Sequence, residues 1–386
     1  MSIYRLEEMS TPALDALDRA RTAVILTVSP LEEHGPHLPV GVDAFAARHF
    51  ARAVTERLVA CRPDWSVVLA PTLHLGSFTF ESVGTVSVRQ RVVRDTLIDY
   101  GRSLARARFR WIFIANGHGG PGHLAALEEA SAIVSRRYEI TMASLTGYLA
   151  WEFFRGRYLP KIEAALGRAL TDEERQAFAE DAHGGWWETS LMLMLRPELV
   201  DGSYRDLPPA RYALPERVLP NYPLRDGGQG YVGHPALADP TFAKATVEVL
   251  MTEAMEMIEG LLDGRLTPAD RRSPFFALPV FRTNFWRAAA AAGVAVAAGA
   301  AWYAGFKRGR RGLGSWAAGP MPRESDVMID EHLIRLRELG ATTGAPTWIP
   351  VLVRELEELR ARVEQLEQDN AELQAQLAFY RRRVAA

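Results

Sequence analysis

Glu32 and His34 stand two residues apart in Ser29-Pro30-Leu31-Glu32-Glu33-His34-Gly35-Pro36-His37-Leu38-Pro39, so an extended backbone there sends both side chains to the same side. A carboxylate and an imidazole converging in this way, with Asp43 after a Gly/Pro-rich turn, offer the borderline donors that zinc, manganese and ferrous iron accept. A second cluster, Asn116-Gly117-His118-Gly119-Gly120, presents His118 on a loop with little side-chain bulk. A third, His183-Gly184-Gly185-Trp186-Trp187-Glu188-Thr189-Ser190, opens the apolar run Leu191–Leu195. Each alone has an ordinary explanation: Glu-x-His arises by chance, a loop histidine bonds backbone, and a tryptophan pair packs in a core. Trp186 and Trp187 have a second use, as stacking walls for a flat substrate.

Short β-branched runs at Ala23–Val28, Ser66–Ala70, Trp111–Ala115 and Ile140–Ser144 are expected strands, and Ala44–Val59, Arg91–Ala107 and His123–Arg136 space apolar residues as helices do. Strands alternating with helices predict a parallel sheet covered on both faces, with the ligand crevice beyond the carboxyl ends of the strands. The first two clusters follow such strands directly. Two clusters at strand ends, with a third opening a helix-like run, therefore point to one site rather than to three coincidences.

These blocks, with Gly84-Thr85 and Gly230-Tyr231-Val232-Gly233-His234-Pro235-Ala236-Leu237-Ala238, resemble the signature blocks of the creatininase (creatinine amidohydrolase) family, in the family's order, over roughly residues 10 to 260. The resemblance implies a three-layer α/β/α fold, a centre of two divalent ions (Zn, Mn or Fe) and hydrolysis of a C–N bond in a cyclic amide, formamide or related small-molecule amide. By position it implies Glu32, His34, Asp43 and His118 as metal ligands, Asp43 as the bridge, Glu188 as a further carboxylate ligand, and catalytic roles for Glu188 and for His183 in proton transfer. A water held by such ions loses a proton near neutral pH, and a histidine suits protonation of the departing nitrogen. Two positions depart from the family's pattern. Glu33 stands where Gln is usual, and Gly120 stands where creatininases carry a glutamate ligand, which makes Glu188 the favoured replacement. A peptidase trimming a small peptide uses the same kind of centre, and a scaffold that keeps the fold without turnover is a third reading.

Around this region the chain divides into a hydrolase domain at 1–265, a Pro/Arg/aromatic linker at 266–285, an expected transmembrane helix at 286–306, a second linker at 307–347 and a parallel coiled coil at 348–384. Ala288–Phe306 is uncharged over a length that spans a bilayer core, with aromatic and basic residues at its flanks. Leu352, Leu359, Leu366, Leu373 and Tyr380 recur every seven residues, with Asn370 on the interleaved series, the pattern of a homodimeric seam. A membrane-anchored protein with a cytoplasmic catalytic domain follows from these features, or a cytoplasmic one if 286–306 is not a span.

Lys and Arg total 45 against 47 Asp and Glu, so no overall field recruits nucleic acid. The single cysteine, Cys61, excludes an intrachain disulfide framework and any multi-cysteine metal site.

Overall fold

The computed structural model describes residues 3–217 and 219–285. The uncharged run 286–306, the linker 307–347 and the heptad segment 348–384 lie outside the described residues, and among the described residues no helix is long and apolar enough to cross a membrane.

In chain order the described elements are β1 (Ile3–Arg5), α1 (Thr11–Asp15), β2 (Thr22–Thr27), α2 (Val42–Cys61), β3 (Ser66–Leu69), α3 (Gln90–Arg106), β4 (Trp111–Ala115), α4 (Pro121–Tyr138) and β5 (Thr141–Ser144). They continue with α5 (Thr146–Phe154), α6 (Leu159–Leu166), α7 (Asp172–Glu180), α8 (Trp186–Leu195), α9 (Leu214–Arg217), α10 (Pro240–Leu262) and α11 (Pro274–Ala277).

Every residue of β2 is buried, which demands cover on both sides of the sheet. Alternate side chains supply it. Ala23, Ile25, Val67 and Phe113 pack with α2, α5, α8 and α10, while Val24, Leu26, Val68 and Ile112 pack with α3 and α4. The result is a three-layer α/β/α sandwich on a parallel sheet of order β1-β3-β2-β4-β5. From β2 the chain steps to β3 on one side and then crosses to β4 on the other. The neighbouring carboxyl ends of β2 and β4 therefore form a topological switch point, the usual crevice of such sheets. The expected strands and helices match β2 to β5 and α2 to α4 within two residues at each end. The edge strand β1 was not expected, because three residues with only Tyr4 half-buried carry no periodic signal.

Residues 266–285, read from composition as a linker, carry α11 and a 3-10 turn at Pro279–Phe281 that lie on α4. Two adjacent acids hold them there. Glu128 accepts bonds from Ser273 N (2.8 Å) and Ser273 Oγ (2.9 Å), and Glu129 accepts from Thr283 N and Oγ1. Burial pushes the Glu128 carboxyl up from 4.5 to about 7, against the Ser273 hydrogen bonds, which favour the charged form. The folded chain thus keeps a proton that the unfolded chain releases at lower pH. The associated stability is complete below about pH 4.5 and is lost as pH rises through 7, a change of about 3 kcal/mol at ~1.4 kcal/mol per pKa unit. Glu128→Gln has no such proton to lose. Urea unfolding from pH 4.5 to 8 is expected to show the variant gaining on the parent by that amount; a pH-independent difference would contradict the assignment.

Candidate metal centre

Glu32 and His34 follow β2, His118 follows β4, Asp43 lies in the first turn of α2 and Glu188 in the first turn of α8. The fold brings all five together at the switch point, although 145 positions separate Asp43 from Glu188. His118 Nδ1 is 3.0 Å from Glu32 Oε2 and 3.3 Å from Asp43 Oδ2. His34 Nε2 is 3.4 Å from Asp43 Oδ1 and 3.5 Å from Glu188 Oε2. The donors form three three-residue groups, Glu32–Asp43–His118, His34–Asp43–Glu188 and Glu32–His34–His183, the first two sharing Asp43. Glu32, His34 and Asp43 are at most 1% exposed and His118 is 5% exposed.

These residues fit a divalent metal by three observations. Glu32 Oε2, His34 Nε2 and Asp43 Oδ2 are buried and make no hydrogen bond, an arrangement that is costly unless a cation satisfies them. Each histidine turns its other ring nitrogen to a main-chain carbonyl, His34 Nδ1 to Glu32 O (3.0 Å) and His118 Nε2 to Ser77 O (3.2 Å). That outer bond fixes the ring so that the inward nitrogen carries the lone pair. Third, anionic carboxylates and imidazoles are the donor set such ions take.

Without a cation the same groups hold one another. Burial pushes Asp43 up, but His34 and His118 outweigh it and keep the carboxyl well below its usual range. Burial likewise pushes His34 down, yet Glu188 and Asp43 leave its pKa well above the ordinary imidazole value. For His118 the burial penalty is overcome by Glu32 and Asp43. The three carboxylates of this cluster are therefore offset in part by its two rings, and a bound cation would take over the role of the ring protons.

The supporting contacts come largely from within the three clusters, with Asp181 and Phe80 added from outside them. Asn116 Oδ1 accepts from His118 N (3.1 Å) and Ser29 Oγ (3.0 Å), while its Nδ2 donates to His118 O (2.6 Å), clamping the histidine loop onto the end of β2. His37, which burial pushes down to about 4, places Nε2 2.8 Å from Thr189 Oγ1 and so braces the residue next to Glu188. Asp181 accepts from Trp186 N (2.7 Å) and Trp187 N (2.9 Å), fixing the start of α8. Glu188 Oε2 accepts from Gly184 N (2.6 Å). Gly184 has φ +57°, and its Cα sits against the backbone of His34, where a side chain has no room. Phe80 N donates to Glu32 Oε1 (2.6 Å).

His183 joins the cluster. Its ring centroid lies 4.1 Å from that of His34, and its Nε2 donates to Glu33 O (2.7 Å). Glu33 Oε1 is buried without a hydrogen bond, 3.7 Å from the same nitrogen. Gly120 has no space to be anything larger, since a Cβ there would collide with His118 Nε2 and Phe78 O.

The two tryptophans part company. Trp186 is not a substrate wall: it is 2% exposed and stacks on Phe242 with centroids 4.2 Å apart, because the first turn of α8 points it into the helical layer. Trp187 instead lines an apolar cavity of about 90 Å³ beside the Gly117–Gly119 backbone, with Phe50, Leu149, Phe153 and Met251.

A family profile described as creatininase (creatinine amidohydrolase) matches residues 7–258. A mycofactocin precursor peptide peptidase of Mycobacterium ulcerans (strain Agy99) is 33% identical over 248 residues, 62% of this chain and 84% of the relative. The creatinine amidohydrolase of Pseudomonas putida is 28% identical over 240 residues, 58% of this chain and 84% of the relative. Among solved structures, a mutant creatininase complexed with creatine aligns with TM-score 0.51 at 24% identity, covering 67% of this chain and 98% of that one. At that identity the likeness speaks for the fold.

Proposed function

The chain belongs to the creatininase family of metal-dependent amidohydrolases, and from that premise we propose that it hydrolyses an amide C–N bond in a short peptide carrying an apolar side chain, at a two-metal centre held by Glu32, His34, Asp43, His118 and Glu188. The observation that carries the reading is the sharing of Asp43 between two three-donor groups whose members are all buried except the partly buried Glu188. Divalent ions bound there supply an acidified water and an electrophile for the carbonyl oxygen. The protein's own groups do the rest. Ser77 O and Glu32 O orient the two imidazoles, Gly184 N holds Glu188 in place, and burial excludes bulk water. His183, held through Nε2 by the Glu33 carbonyl and lying tilted against the His34 ring, would hand a proton to the departing nitrogen.

Substrate class follows from what stands around the centre. Gly120 leaves out the carboxylate that creatininases carry there, and the neighbouring cavity is lined almost wholly by apolar groups. An apolar side chain next to the scissile bond suits that cavity better than a small polar ring does. The peptidase names of the mycobacterial relatives support the same choice, and the Pseudomonas relative keeps a cyclic amide as the second reading.

The test is a substrate panel on the full chain reconstituted with Mn or Zn. Short peptides with Leu or Phe beside the scissile bond are expected to be cleaved at least tenfold faster, in kcat/KM, than their Gly counterparts. Turnover of creatinine or a lactam with no cleavage of any peptide would replace the proposal with the cyclic-amide reading. Metal loading with no turnover at all would favour a binding role.

A further inference from the structure

Two of the candidate ligands are steered by one loop that runs from β3 to α3. Ser77 O receives His118 Nε2, and three residues on, Phe80 N reaches Glu32 Oε1. Phe78 lies between them at φ +61°, a left-handed conformation that an aromatic residue rarely adopts and keeps only when its surroundings enforce it. Its ring fills the space over Gly122, where any Cβ would strike it, and its other neighbour is Phe281, edge to face at 6.5 Å between centroids. Gln90 Nε2, at the start of α3, ties two of these pieces together by donating to Gly122 O and to Phe281 O, each at 2.7 Å.

Phe281 belongs to residues 273–285, which lie beyond the family-matched region. It is itself anchored. Phe275 packs edge to face on it at 5.5 Å, Arg282 Nε donates to Phe276 O (2.5 Å), and the flanking Ser273 and Thr283 are bonded to Glu128 and Glu129. An uninterrupted path of contacts thus runs from α4 through Phe281 and Phe78 to Ser77 and Phe80.

We propose that this strap holds the Ser77–Phe80 loop in the conformation that aims His118 and Glu32 at the metal centre, with Phe281 as its positioning residue. The proposal rests on the reading of His118 and Glu32 as ligands. A strained Phe78 without its partner relaxes, and the Ser77 carbonyl and Phe80 amide move with it, so ligand aim is lost while the sheet and its helices stay folded.

The experiment compares full-length Phe281→Ala, Gln90→Ala and Phe281→Tyr with the parent and with Val280→Ala, a change at a neighbouring exposed side chain. Hydrogen exchange at the Phe80 amide is expected to quicken at least tenfold in Phe281→Ala and Gln90→Ala, with exchange in β2 and β4 unchanged. Manganese affinity, read by titration, is expected to fall about tenfold in the same two variants. Phe281→Tyr, which keeps the ring, should restore both, and Val280→Ala should alter neither. Gln90→Ala removes only hydrogen bonds, so it decides the matter if Phe281→Ala fails to fold. Unchanged Phe80 exchange in a folded variant would overturn the proposal. A parent chain that binds no manganese would instead defeat the metal reading, while the exchange data still judge the strap.

Discussion

Asp43→Asn is expected to strip the protein of bound metal and to lower kcat/KM by at least a thousandfold, on the order of 4 kcal/mol of transition-state stabilisation. The size follows from position. Asp43 is 1% exposed, with Oδ1 facing His34 and Oδ2 facing His118, and it is shared by the Glu32–Asp43–His118 and His34–Asp43–Glu188 groups. An amide offers one neutral oxygen and a nitrogen that points hydrogens at the second site, and neither group keeps its anionic bridge. The change is nearly isosteric, and far-ultraviolet circular dichroism should show a folded chain. Metal per chain by mass spectrometry, measured with hydrolysis of the best peptide, checks the expectation; an Asn variant that retains metal and activity would remove Asp43 from the centre.

Glu188→Gln is expected to have the second-largest effect and a different signature. It disables the His34–Asp43–Glu188 group while leaving Glu32, Asp43 and His118 untouched, so loading should drop from two ions to one, and kcat by about a hundredfold or more. The glutamine oxygen still accepts from Gly184 N, which preserves the start of α8. Loss of both ions would show that the two groups bind as a unit, and unchanged loading would show that Glu188 is not a ligand. The contrast between these two variants separates a shared bridge from a one-sided ligand.

Much of this arrangement was legible before any coordinates. Trp111–Ala115 reads as a buried strand because it is a short apolar run closed by Asn116 and glycines, and His118 is then carried to the crevice by topology alone. Asp43 was legible because a Gly/Pro-rich turn puts it at the opening of a helix. The approach of Glu188 to His34 was not readable from spacing, since nothing local marks contact across 154 positions; only the resemblance to a family implied it. The steering groups of the 77–80 loop were invisible for a more basic reason: a main-chain carbonyl and amide are present in every sequence and acquire a role only from the path of the chain. Trp186 shows the opposite failure. Its type suggests stacking on a ligand, but the helical position that delivers Glu188 inward turns Trp186 onto Phe242. Position on the helix outweighed residue character.

Whether two ions share Asp43 is read directly by anomalous diffraction from crystals of the protein grown with manganese. Two peaks are expected to flank the Asp43 carboxylate, one within about 2.2 Å of donors from Glu32 and His118 and the other within that distance of donors from His34 and Glu188. No peak in this cluster, or a single ion held without Asp43, would contradict that expectation.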